Sequence, residues 1–302
     1  MKGSVEANPK EVQAGVRFML AAAFSFSVMT LLVKIAGQTL PSHEIVFARG
    51  IVTLVLSYGW VRQAGVSLWG ERKGILVVRG LLGFVALTCF YYAVTQLPIA
   101  VATVLHYTSP IWTSLIAVPL LKEPITSRVC GACLLSFVGV TFIARPGFLF
   151  SEATSGLDLV AVGVVLVGSL LSSGAYVSVR EASKTEHTSV IIFYFALIST
   201  MGSVPLAWPV AVWPTAWGWL VLAGVGVTTQ VAQIFLTRGL SLVPAGRAMT
   251  VGYTQILFAA LWGMLFFAEY PDLWTVAGAL LVILGTAVVG FPEKKAVSIP
   301  IR

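Results

Sequence analysis

The sequence predicts an all-α integral membrane protein, with ten transmembrane helices arranged as two inverted five-helix repeats. Three observations lead there. Of the 302 residues, 58% are hydrophobic and 10% are charged, with a mean hydropathy of +0.93. Soluble domains carry about 25% charged residues, and so few Lys, Arg, Asp and Glu cannot cover a wet surface of this size. Apolar segments of about 20 residues, enough to cross a bilayer core of about 30 Å, recur from end to end. The chain also superposes on itself without a gap at a shift of 146 residues.

The elements follow in order, each bounded by Pro, Gly or charge. A short tail, 1–14, precedes a first span at 15–36, which is too long for a signal-peptide core and is retained. Spans at 43–62, 74–95, 99–121 and 127–145 complete a first repeat over 15–146. A linker, 147–156, leads to spans at 157–179, 189–210, 215–237, 244–267 and 273–291, a second repeat over 157–292, and a tail at 293–302. With the N-terminus inside, only Lys34, Arg49 and Arg145 fall in the outer half. The other 16 of the 19 Lys and Arg, Arg79 among them, fall at the inner face, which places both termini in the cytoplasm and the chain in the cell's inner (plasma) membrane. The net charge of +7 therefore reads as orientation. Its basic residues are scattered between apolar runs, which excludes nucleic acid as a partner.

The self-match pairs Pro98 with Pro244, Tyr107 with Tyr253, Thr108 with Thr254, Glu123 with Glu269, Gly139 with Gly285 and Pro146 with Pro292. Five spans is an odd number, so the second unit must cross in the opposite sense. Charge follows: Lys122 and Arg128 inside become Ala268 and Trp274 outside, while Tyr92 and Val101 outside become Arg238 and Arg247 inside. Two similar inverted halves can exchange inward-open and outward-open shapes around one central site.

Tyr107-Thr108-Ser109-Pro110 leading to Leu121-Lys122-Glu123, Tyr253-Thr254 leading to Ala268-Glu269, Arg49 early in the second span, and Gly139 with Gly285 carry a family likeness. Over nearly its whole length the chain resembles the EamA family of the drug/metabolite transporter superfamily. That resemblance implies two inverted five-helix halves and a transport cavity lined largely by helices 1, 3, 4, 6, 8 and 9, and leaves the substrate open. Two departures make the halves inequivalent: Ile256 stands where the first half has Pro110, and Phe195 where it has Arg49.

Polar side chains within spans either line a path or bind helices together. In the sixth span Ser169, Ser173, Tyr176 and Arg180 share one face at i, i+4, i+7 and i+11. Thr88, Tyr91, Tyr92 and Thr95 do so in the third, and Thr229, Gln233 and Thr237 in the eighth, with Gln230 beside them. Arg49 lies about 10 Å deep at 1.5 Å per residue; it either pairs with Glu44 or helix carbonyls, or binds a substrate carboxylate or phosphate. His106 and Tyr107 lie near the midplane, where Pro110 is expected to kink the fourth span. The candidate substrate-binding set is Arg49, Thr88, Tyr91, Tyr92, His106, Tyr107, Ser173, Tyr176, Gln230, Gln233 and Tyr253.

Only Glu44 among the acids lies within a span, so no midplane carboxylate serves a proton relay or sodium site. His106 is the best available proton carrier; otherwise exchange or facilitated diffusion is expected. Glu123 and Glu269 read as turn residues at a positive helix end. Cys130 and Cys133, inside an apolar run, read as packing residues. No P-loop is present, and His43, His106 and His187 lie in three separate regions, so no cofactor, metal or catalytic residue is expected. The function read from these residues is secondary transport of a small neutral, zwitterionic or anionic metabolite, such as an amino acid, by alternating access in efflux or exchange. The alternative is an integral membrane enzyme or a structural membrane protein. The expected partners are the bilayer and the metabolite, with a homodimer left open.

Overall fold

The computed structural model describes residues 9–97, 99–123, 125–144, 158–267 and 273–290, all in helices and short connections with no strand among them. The helices are α1 (Pro9–Ala36), α2 (Ser42–Gln63), α3 (Lys73–Gln96), α4 (Ile99–His106), α5 (Ser109–Leu121), α6 (Ser127–Ala144), α7 (Leu159–Ala182), α8 (Thr188–Ala207), α9 (Ala216–Leu242), α10 (Ala245–Gly252), α11 (Gln255–Phe267) and α12 (Leu273–Gly290). The 147–156 linker, the tail at 293–302, Glu269 and the prolines at 98, 146 and 292 lie outside the described residues.

Local chemistry sets the ends. The Asp158 carboxylate accepts from the N–H groups of Val160 and Ala161 at the start of α7, and the Thr215 hydroxyl accepts from Gly218 N–H at the start of α9, satisfying donors that a helix start leaves orphaned. α1 begins at Pro9, so the first helix reaches into the expected tail. Eight stretches are long and apolar enough to cross a membrane, and two more apolar helices, Ser127–Ile143 and Leu273–Val288, are shorter. The chain is a multi-pass membrane protein.

The fourth and ninth spans are each broken in two, at Tyr107-Thr108 between α4 and α5 and at Tyr253-Thr254 between α10 and α11. The first break was expected from Pro110. The second has Ile256 at the equivalent position, so proline alone does not account for the pair. Both breaks tighten to i→i−3 hydrogen bonds, Thr108 N to Leu105 O and Thr254 N to Val251 O. In both, the threonine hydroxyl donates to that same carbonyl, at 2.6 Å for Thr108 and 2.8 Å for Thr254. A hydroxyl that back-bonds in this way competes with the regular helix ladder.

The repeats interlock. α1 packs along α9 and, in the equivalent pairing, α7 along α3; α2 packs on α8, and α6 on α12. Gly80 of α3 lies against Ile198 of α8, and Gly226 of α9 against Val52 of α2. A Cβ at either glycine would sit 2.3 Å from its neighbour's side chain. These two crossings map onto each other under the 146-residue shift, and glycine is what lets the backbones approach in both.

Candidate functional site

Among the described residues three arginines are buried: Arg49 of α2 is 8% exposed, Arg79 of α3 is 3% exposed and Arg247 of α10 is 9% exposed. Of the alternatives open for Arg49, a pair with Glu44 does not form. Glu44 instead accepts from Val212 N–H at 2.9 Å, tying the outer start of α2 to the connection before α9. The reason is angular: five residues turn a helix by about 500°, so the two side chains leave different faces. The Arg49 guanidinium has Met29 Sδ at 4.0 Å as its hydrogen-bond contact and Tyr91 within electrostatic reach.

Arg79, counted above among the inner-face charges, is instead folded into the core. Its Nη2 donates to Gln233 Oε1 at 3.4 Å and its guanidinium lies 4.2 Å from the ring centroid of Phe195, while Nε has no hydrogen-bond partner. Phe195 is the repeat equivalent of Arg49, so Arg79 faces the position that matches the other arginine, and both cations belong to the first repeat.

A polar ladder joins them. Arg49, Thr53 and Ser57 fall at i, i+4 and i+8 on one face of α2. The Ser57 hydroxyl donates to Gln230 Oε1 at 3.1 Å, Gln233 follows one turn along α9, and Arg79 closes on Gln233. Tyr176 of α7 lies within electrostatic reach of Arg79 and of Tyr107. The Thr53 hydroxyl, between the two arginines, is buried without a partner. Helices from both repeats contribute.

Of the sequence candidates, Arg49, Tyr91, Gln230, Gln233, Tyr176 and Tyr107 lie on or beside this ladder. Tyr253 is fully buried; its ring stacks on Tyr107 with centroids 5.8 Å apart, and its hydroxyl donates to the Tyr107 carbonyl at 2.9 Å. It takes up a backbone acceptor freed by the break in span four. We expect Tyr253→Phe, which leaves that carbonyl unpaired at about 1 kcal/mol, to lower the melting temperature by about 2–4 °C while keeping the stacked ring; thermal unfolding followed by tryptophan fluorescence checks this. His106 packs on Phe90 with ring centroids 4.6 Å apart, its Nδ1 buried and unpartnered. The Ser173 hydroxyl donates to the Ser109 and Ser169 carbonyls, and Ser169 bonds Thr108, so the upper part of the sixth-span stripe holds the start of α5. The Thr88 hydroxyl donates to Phe84 of its own helix. Tyr92 is 41% exposed.

Sequence reasoning missed Thr53, Ser57 and Arg79. The signal was available for the last: Arg79 lies six residues beyond the start of its helix, about as deep as Arg49 in its own, and the depth argument applied equally. At the inner end, Glu123 joins the repeats. Its carboxylate accepts from Arg180 Nε at 2.8 Å and from Ala245 N–H at 2.9 Å, while Arg180 Nη1 donates to the Leu240 and Ser241 carbonyls at the end of α9. The acid does sit at a positive helix end, but that of α10 in the other repeat. Among the described residues no cluster of three or more His, Cys, Asp or Glu could hold a metal.

A family model described as the EamA-like transporter family matches residues 13–145 and again 159–291, two copies offset by the same 146 residues. The chain belongs to the EamA-like transporter family. It is 36% identical over 284 residues to the pseudopaline exporter CntI of Pseudomonas aeruginosa, covering 94% of this chain and 98% of that one. It is 26% identical to the S-adenosylmethionine uptake transporter of Rickettsia prowazekii, covering 94% and 95%. A solved crystal structure with 15% identity superposes with a TM-score of 0.77, over 93% of this chain and 96% of that one, and shows the fold. This EamA-like protein is a membrane transporter in a family whose named relatives move small metabolites.

Proposed function

We propose that this EamA-like protein is a secondary transporter that moves a small neutral, zwitterionic or anionic organic metabolite, an amino acid or a related solute, along the polar ladder by alternating access. The ladder carries the reading: a bilayer interior tolerates two guanidiniums and two glutamines where they line a path for a polar solute. Ten spans, counting α4–α5 and α10–α11 as one each, form repeats over 15–146 and 157–292, with both termini cytoplasmic in the plasma membrane. The named relatives include an exporter and an uptake transporter. The higher identity to the exporter supports efflux or exchange.

Purified protein in liposomes, given labelled amino acids, nucleosides, organic acids and cations without ATP, is expected to move members of the neutral, zwitterionic or anionic groups. Uptake of cations alone would overturn the reading of the ladder. Absence of all flux together with hydrolase or transferase activity would establish an enzyme instead.

A further inference from the structure

We infer that the solute is an elongated organic dianion, with one acidic group held at Arg79 and the other at Arg49. This rests on the transport reading above and names its substrate class. Arginine keeps its charge under all physiological conditions, and a buried charge without a counter-ion is costly. Of the described carboxylates, Glu44 is engaged by Val212 N–H, Glu123 by Arg180 and Ala245, Glu181 by Arg72 and Lys184, Glu186 by the N–H groups of Glu71 and Arg72, and Asp158 by the N–H groups of Val160 and Ala161, while Glu11 and Glu71 are exposed. Among the described residues, Arg49 and Arg79 contact a thioether, an amide and a phenyl face, with the phenols of Tyr91 and Tyr176 within electrostatic reach. Among the described residues no carboxylate pairs with Arg49 or Arg79, so these two buried cations await anions.

Depth sets the length of the solute. The Arg49 guanidinium lies beside Met29 and Tyr91, seven and five residues from the outer ends of α1 and α3. The Arg79 guanidinium lies against Gly83 and Phe195, thirteen and twelve residues from the outer ends of α3 and α8. At 1.5 Å per residue these levels differ by about 10 Å. A single carboxylate is too small to touch both, whereas a diacid of about eight carbons spans them. The unpartnered Thr53 hydroxyl, eleven residues from the outer end of α2, lies between the two levels, ready to meet a polar centre.

The test compares suberate, an eight-carbon diacid, with its half-amide, which has the same length and one charge fewer. Binding is measured by calorimetry on the detergent-purified full chain, with succinate as a short control. Suberate is expected to bind about tenfold more tightly than either, the order of one added charge-assisted pair. Arg49→Gln and Arg79→Gln should each abolish that preference, so that in either variant suberate binds within about threefold of its half-amide, each held by the one remaining arginine. Arg49→Lys and Arg79→Lys, with unchanged melting temperatures, should retain part of it, separating charge from folding. Equal binding of suberate and its half-amide, survival of the preference in either Gln variant, or binding of no diacid overturns the inference. Liposome flux of a neutral solute in the Gln variants would leave the transporter reading standing while this one fell.

Discussion

Glu123→Gln is expected to open the inner end of the protein and to slow transport about tenfold or more. Glu123 accepts a charge-assisted hydrogen bond from Arg180 and a second bond from the first residue of α10, and such bonds to ionised groups are worth about 1.5–3 kcal/mol. In a carrier that alternates between two shapes, losing about 1.4 kcal/mol from one of them shifts the populations tenfold. The readout is the thiol of Ala245→Cys, with Cys89, Cys130 and Cys133 replaced by alanine. Ala245 is fully buried under the Glu123 carboxylate, so a membrane-impermeant maleimide applied to inside-out vesicles should label it slowly in the parent and severalfold faster with Glu123→Gln. Arg180→Gln should act in the same direction, and a double-mutant cycle should reveal coupling, since the two share one network. Unchanged labelling and unchanged flux would make the contact an ornament of the loop.

The second large effect is expected at the crossing of α6 and α12. A Cβ at Gly139 would lie 2.6 Å from the Gly278 carbonyl oxygen, and one at Gly278 would lie 2.5 Å from the Gly139 carbonyl oxygen. Backbone cannot step aside as a rotamer can, so even Gly139→Ala forces the helices apart, with an overpacking cost of about 1–3 kcal/mol. We expect a lower melting temperature and a reduced yield of monodisperse protein for Gly139→Ala and Gly278→Ala. Gly131→Ala on the same α6, where a Cβ meets nothing within 4 Å, should be neutral. Equal stability of all three variants would remove the close crossing.

The stripe on α7 was legible because one helix carries all of it: Ser169, Ser173, Tyr176 and Arg180 repeat with the helix period, and the structure sets them along the broken fourth span, Arg79 and Glu123 in turn. Gln230 and Gln233 were legible for the same reason. Of the alternatives the sequence left open for Arg49, pairing with Glu44 falls away because nearness in sequence is not nearness in angle. Arg79 was misread because a rule that counts basic residues at helix ends cannot distinguish a side chain that snorkels to water from one that turns inward over an aromatic ring. Pro110 drew attention to the right break for an incomplete reason; the Tyr-Thr pair shared by both repeats is the common element.

What the sequence by itself determined are the properties that depend on the solvent and on periodicity: the apolar stretches, the 146-residue repeat and the distribution of charge. Each of these is a sum over neighbouring residues and needs no partner. What only the tertiary structure decided is which polar groups meet. Ser57 reaches Gln230 across 173 residues of chain and Arg79 reaches Gln233 across 154, and no local pattern encodes such contacts. Close approach at glycines 80 and 226 brings α3 onto α8 and α9 onto α2, and there the scattered polar residues gather into one path with a cation towards each end.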